Sequence, residues 1–162
     1  MSFANHKEIN SYFIALLPYD NCLKDLNEFQ SICLRELKAK NPQSSPPHVT
    51  LHMPFYYKAK KIDNLIYHLN EFTKKKDSFE LNIDGFSSFP PRVIYAAISE
   101  NRQLDDFQKG LENVIKTKLK IHNANYRNHK FKPHITIASR GLKKTNFDAV
   151  FSKFENLDYK AS

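Results

Sequence analysis

Apolar residues recur along this 162-residue chain in two rhythms, helical and alternating, and the switches between them mark its elements. Tyr12 to Leu17 reads as a strand stopped by Pro18. Asp20 has the chemistry of an N-cap for a helix running to about Lys40, with Leu23, Leu26, Cys33, Leu34 and Leu37 on its apolar face. A loop from Asn41 to Pro47, carrying three prolines, feeds His48 to Met53 as a strand, and Pro54 is expected to limit its pairing. Ile62, Leu65, Ile66, Leu69 and Phe72 fall at helical spacing. Phe79, Leu81 and Ile83 alternate as a half-buried strand expected to end near Gly85.

Pro90-Pro91 punctuates the centre, and the second half repeats this order. Arg92 to Ser99 reads as a strand, and Leu104, Phe107, Leu111, Val114 and Ile115 as a helix. A polar loop from His122 to Lys132 leads through Pro133 into the strand His134 to Ala138, and Phe147, Val150, Phe151 and Phe154 mark a last helix. This reads as one domain, residues 1–162, built by divergent duplication from half-repeats of about 11–86 and 91–162. Two α+β lobes facing one groove are expected. The second half lacks a counterpart to the strand that ends the first. Either the chain stops short of that strand or the second lobe keeps an open edge.

Bulk properties narrow the class. The hydrophobic content of 41% and aromatic content of 13% exclude a disordered chain. No run reaches the roughly 18 apolar residues of a membrane span, and the apolar stretch near the N-terminus is too short for a signal peptide. A cytoplasmic, monomeric protein is expected, with Cys22 and Cys33 as core thiols too far apart along one helix to bond. The net charge of +8 favours anionic partners such as RNA or nucleotides, though lysine-rich helix ends would produce the same surplus.

The chemistry lies in two matching tetrapeptides, His48-Val49-Thr50-Leu51 and His134-Ile135-Thr136-Ile137, each directly after a proline. Residues two apart on a strand share a face, so each tetrapeptide presents an imidazole beside a hydroxyl and turns its apolar residues inward. Chance would give about 0.2 such His-x-Thr coincidences in this composition, so two in equivalent places are unexpected. Phosphodiester cleavage needs a base for the attacking oxygen and an acid for the leaving one, and histidine serves either role near neutral pH. Thr50 and Thr136 would donate to the non-bridging oxygens. This chemistry requires neither metal nor nucleotide cofactor.

These motifs resemble those of the 2H phosphoesterases, named for two H-x-T/S-x motifs, and most closely the bacterial branch described as 2′-5′ RNA ligase or RNA 2′,3′-cyclic phosphodiesterase. The likeness extends through Tyr12-Phe13-Ile14-Ala15-Leu16, Pro47 to Leu51 with Pro54-Phe55, Gly85-Phe86, Pro91 to Tyr95 and Pro133 to Ala138. What it implies is a bilobal, pseudo-twofold α+β fold of two antiparallel sheets with outer helices and both motifs in a central cleft. It further implies an acid/base pair, with His134 as base and His48 as acid, acting on a 2′,3′-cyclic or 2′-5′ phosphodiester. A further strand beyond the last helix is usual in the family. Many relatives also place an arginine five residues after the second motif histidine, where this chain has Ser139 followed by Arg140. Arg140 keeps the parity of His134 and Thr136 if the strand runs that far, and a phosphate contact is then open to it.

Around the motifs, His52 shares parity with His48 and Thr50 and is read as a groove-edge residue or substrate contact. A zinc site made by His48, His52 and His134 is disfavoured, because threonines fill the neighbouring same-face positions and no cysteine or carboxylate joins them. Arg92 and Tyr95 are candidates for phosphate and base contacts, with core packing as the rival reading for Tyr95, Tyr12 and Phe13. The loop bearing Tyr126, Arg127, His129 and Lys130 is expected to form an RNA-contacting rim, while His6, His68, His122 and His129 are read as solvated and not catalytic. The leading expectation is therefore a metal-independent phosphodiesterase that opens a 2′,3′-cyclic phosphate on RNA or a nucleotide, or reversibly handles 2′-5′ linkages. The alternatives are a non-catalytic RNA-end or nucleotide binding module, and hydrolysis of a non-RNA cyclic phosphodiester such as an ADP-ribose derivative.

Overall fold

The computed structural model describes residues 8–36, 45–122, 130–139 and 141–162. Its elements follow the order β1 (Ile9–Leu16), α1 (Asp20–Glu36), β2 (Val49–Lys58), α2 (Ile62–Thr73), β3 (Ile83–Phe89), β4 (Val93–Ile98), α3 (Arg102–Thr117), β5 (His134–Ala138), α4 (Phe147–Phe151) and β6 (Lys160–Ala161). The α+β class expected from the sequence is present. The two expected sheets are continuous as one antiparallel sheet in the order β1-β2-β5-β4-β3-β6. Among the described residues, no helix is long and apolar enough to cross a membrane.

The chain divides into two compact units, and each draws on both halves of the sequence. The first comprises the described parts of Met1–Ile14, Leu51–Phe79 and Asn101–Phe131; the second comprises those of Ala15–Thr50, Glu80–Glu100 and Lys132–Ser162. In the first unit, Leu51, Phe55, Leu65, Leu104, Leu111 and Ile115 are buried. Phe107 of α3 packs on Phe72 and Phe79, with ring centroids 5.0 and 5.8 Å away. Helices α2 and α3 approach closely at Gly110, where a Cβ would stand 3.1 Å from the Phe72 ring and press it aside by a few tenths of an ångström.

The second unit holds the candidate site and the core beneath it. Leu26 and Cys33 of α1, Val49, Ile94, Ala96, Ile135 and Ile137 of the sheet, and Phe147, Val150 and Phe154 near the C-terminus are buried together. Phe29, Phe86, Phe154 and Tyr159 add an aromatic cluster, with Phe29 to Phe86 at 4.9 Å and Phe86 to Phe154 at 5.2 Å in edge-to-face contact. Both cysteines are free thiols, and burial pushes the Cys33 pKa up to about 12, which keeps it protonated and inert.

Three expectations about elements change. The β2 strand runs on through Pro54 to Lys58, past the stretch where it pairs with β5 at Val49. The strand expected over Phe79 to Ile83 lies instead at Ile83–Phe89. Phe79 is drawn onto Phe107, and Gly85 lies inside the strand as a bulge, not at its end. Gly85 has φ +68°, donates its N–H to the Tyr159 carbonyl at 2.8 Å, and shifts the register between Ile83 and Phe86. Finally, Lys160–Ala161 pair with β3 as a short strand where the symmetry of the halves asks for one.

The core and bulge make separable predictions for urea unfolding. Phe154→Ala should cost about 3–5 kcal/mol through the cavity it leaves. Gly85→Ala should cost about 1–2 kcal/mol, from left-handed backbone strain alone. Equal losses for the two would contradict this assignment.

Candidate functional site

All four motif residues belong to the second unit. β2 and β5 pair antiparallel at Val49↔Ile135, and β4 continues the row through Ala96↔Ile135 to Phe86↔Ala96 on β3. Val49, Ile135 and Ala96 are buried in the core. Alternation then turns the flanking residues to the other face, with His48 across from Thr136 and Thr50 across from His134. The next row on that face runs from Thr136 through Tyr95 to Ser87. The two imidazoles thus occupy diagonal positions, about 7–8 Å apart at the backbone end, with a hydroxyl beside each.

Both histidines are oriented by the same local device. His48 Nδ1 lies 2.7 Å from the Pro46 carbonyl, and His134 Nδ1 lies 2.8 Å from the Lys132 carbonyl, in each case two residues back. A carbonyl only accepts, so Nδ1 carries the proton and donates in both rings. From α1, the Gln30 amide donates to the Thr136 carbonyl at 3.0 Å and ties the helix to the second motif strand.

The surroundings of His134 are aromatic and cationic. Phe89 and Tyr95 each bring a ring centroid to 5.1 Å from the imidazole and lie 4.5 Å from one another. The Lys132 ammonium lies over these two rings, 5.0 Å from the Phe89 centroid and 5.5 Å from that of Tyr95. Burial holds the His134 pKa below the ordinary histidine value. The charges of His48 and Lys132 push the same way, against the bond to the Lys132 carbonyl. His134 is therefore poised as a neutral imidazole.

The other candidates separate. Tyr95 is 1% exposed and backs the His134 ring, so its surface is not open for a base to stack on. His52 is 2% exposed, donates from Nδ1 to the Met53 carbonyl at 2.9 Å and meets Phe55 edge-on, a packed position in the first unit and not a groove edge. Its pKa is pushed down mainly by burial. Tyr12 likewise packs against Phe55, at 6.3 Å, whereas Phe13 is exposed. Arg92 is exposed in the β3–β4 turn, where its N–H bonds the Phe89 carbonyl at 3.0 Å. β5 ends at Ala138, and Arg140, Tyr126, Arg127, His129 and His6 lie outside the described residues. His68 is half-buried against Tyr67, and His122 is exposed. No group of three or more His, Cys, Asp or Glu side chains suited to a metal occurs among the described residues.

Sequence reasoning missed Lys132, Phe89 and Gln30. Lys132 reads as the end of a polar loop, and only its adjacency to Pro133-His134 hints at more. Gln30 is 106 residues from its partner, a separation that leaves no local signal.

Comparison with known proteins bears on this arrangement. The chain is 32% identical over 98 residues to a Bacillus licheniformis protein, and 31% identical over 110 residues to one from Geobacillus sp. strain WCH70. It is 26% identical over 116 residues to one from Bacillus cereus strain AH820. The names of all three describe them as phosphoesterases. These matches cover 59%, 67% and 70% of this chain, and the chain spans 53%, 59% and 63% of the relatives' lengths. The crystal structure of TT0787 of Thermus thermophilus shares the fold, with a TM-score of 0.58 at 19% identity over 83% of this chain and 75% of that one. The profile of the 2′-5′ RNA ligase superfamily matches residues 18–162. The chain belongs to the 2′-5′ RNA ligase superfamily, the 2H phosphoesterases.

Proposed function

We propose that this protein is a phosphodiesterase that opens a 2′,3′-cyclic phosphate, or cleaves a 2′-5′ linkage, on RNA or a nucleotide by two-histidine acid/base catalysis. The observation that carries this reading is the Val49↔Ile135 register, which sets His48 and His134 diagonally on one sheet face with Thr50 and Thr136 beside them. Family membership and the phosphoesterase names of the relatives support the reaction class.

His134 Nε2 takes a proton from water as its oxygen attacks phosphorus. His48 Nε2–H gives a proton to the ribose oxygen as the P–O bond breaks. The ring opens to a phosphomonoester and a free hydroxyl, and solvent exchange resets both imidazoles. Thr50 and Thr136 donate to the non-bridging oxygens as the phosphorane gathers charge. The depressed pKa of His134 suits the base role, since the ring is already neutral when substrate arrives. No step calls on a metal.

Turnover of a 2′,3′-cyclic nucleotide in EDTA is the direct test. His48→Ala and His134→Ala should each lower kcat by about 10²–10⁴-fold, and Thr136→Val by about 10²–10³-fold. A wild type no faster than the His48→Ala/His134→Ala double variant would remove the catalytic reading for that substrate.

The pH profile gives a second check. With His134 as base, kcat/KM should fall as pH drops through its pKa, and the acid limb should lie below the ordinary histidine value of 6.5. An acid limb at or above that value would take the base role away from His134.

A further inference from the structure

We propose that the Lys132 ammonium, held over the Phe89 and Tyr95 rings, anchors the phosphoryl oxygens of the substrate at the His48–His134 face. The proposal deepens the phosphodiesterase reading and rests on it for the identity of the anion. Lys132 is tied to the site twice. Its carbonyl accepts the Nδ1–H of His134 at 2.8 Å, so the backbone that orients the imidazole also carries this side chain. Its ammonium lies 5.0 and 5.5 Å from the centroids of Phe89 and Tyr95, the two rings that abut His134. Tyr95 in turn pairs across the sheet with Thr136, which brings the ammonium to the face of the motif residues.

The physical case is one of charge and donors. A phosphodiester is an anion, and its negative charge grows on the equatorial oxygens as water adds. A neutral His134 and two hydroxyls offer only dipoles to that charge, whereas Lys132 offers a full positive charge beside the Nε2–H of His48. Ring faces attract the cation without accepting its three N–H bonds as oxygens would, and Lys132 is exposed, so donors remain for an incoming anion. The aromatic shelf narrows the range of an otherwise flexible stem, which lowers the entropy lost on binding. The same charge opposes protonation of His134, alongside that of His48 just before β2, while Tyr95 on β4 and Phe89 on β3 pack against the ring. Anchor and base would thus be matched in charge state.

The test uses the full chain with Lys132→Met, Lys132→Gln and Lys132→Arg, each checked for wild-type folding by circular dichroism. Inorganic phosphate is titrated while the imidazole NMR signals of His48 and His134 are followed. Removing the charge should weaken phosphate binding about 10- to 100-fold and move the His134 titration to higher pH, since the imidazolium loses a repelling neighbour. Lys132→Arg should restore most of the affinity. Wild-type phosphate affinity in either neutral variant, with His134 titrating unchanged, would overturn the proposal. The outcome is separable from the fate of the hydrolase reading. Lys132-dependent phosphate binding without turnover would sink catalysis and keep the anchor, whereas turnover with Lys132-independent phosphate binding would sink the anchor alone.

Discussion

The candidate site depends on one constraint, the burial of the row Phe86, Ala96, Ile135 and Val49 against the core of the second unit. A strand has two faces and a period of two, so whatever is buried on one face decides what stands on the other. Burying Val49 and Ile135 is worth about 1.5–3 kcal/mol apiece. A one-residue slip of either motif strand would bring an imidazole and a hydroxyl into the core and turn the apolar side chains outward. The apolar residues between the histidine and threonine of each motif are therefore what hold that pair in register. Packing enforces the polar geometry from the opposite side of the sheet.

A second level of order is local. Each motif histidine follows a proline, and the residue before that proline is held extended by the pyrrolidine ring. Its carbonyl is then within reach of the imidazole two residues on, as Pro46 is for His48 and Lys132 is for His134. The same three-residue device sets the same tautomer in both strands. What distinguishes the histidines lies beyond the device. Phe89, Tyr95 and Lys132 surround His134, and they come from β3, β4 and the residue that supplies its carbonyl partner. A motif duplicated in sequence thereby meets two different surroundings, with burial lowering the imidazole pKa on the His134 side.

Much of this was legible along the chain, for reasons that can be named. The β5 limits, His134 to Ala138, follow from a proline before the strand and strict alternation within it. Helices α2 and α3 follow from apolar spacing strong enough to survive any tertiary context. Gly85 misled, because a glycine that ends a strand and one that bulges inside it look alike until the partner strand is present. Pro54 misled for a related reason, since its cost depends on whether a ladder bond was due at that residue. Tyr95 and His52 sit on strands at positions where an open face and a packed one have the same residue pattern, and only the covering layer tells them apart.

By itself, the sequence determined the α+β class, the two motif strands and the four residues His48, Thr50, His134 and Thr136 as a chemical set, because strand alternation and proline sterics act over a few neighbouring residues. Tertiary structure alone decided that His48 lies across from Thr136, that Tyr95 is a backing for His134 and not a platform, and that Lys132 is held over two rings beside it. Those outcomes depend on which strands become neighbours and what covers each face, and such contacts join residues too distant along the chain for local pattern to record.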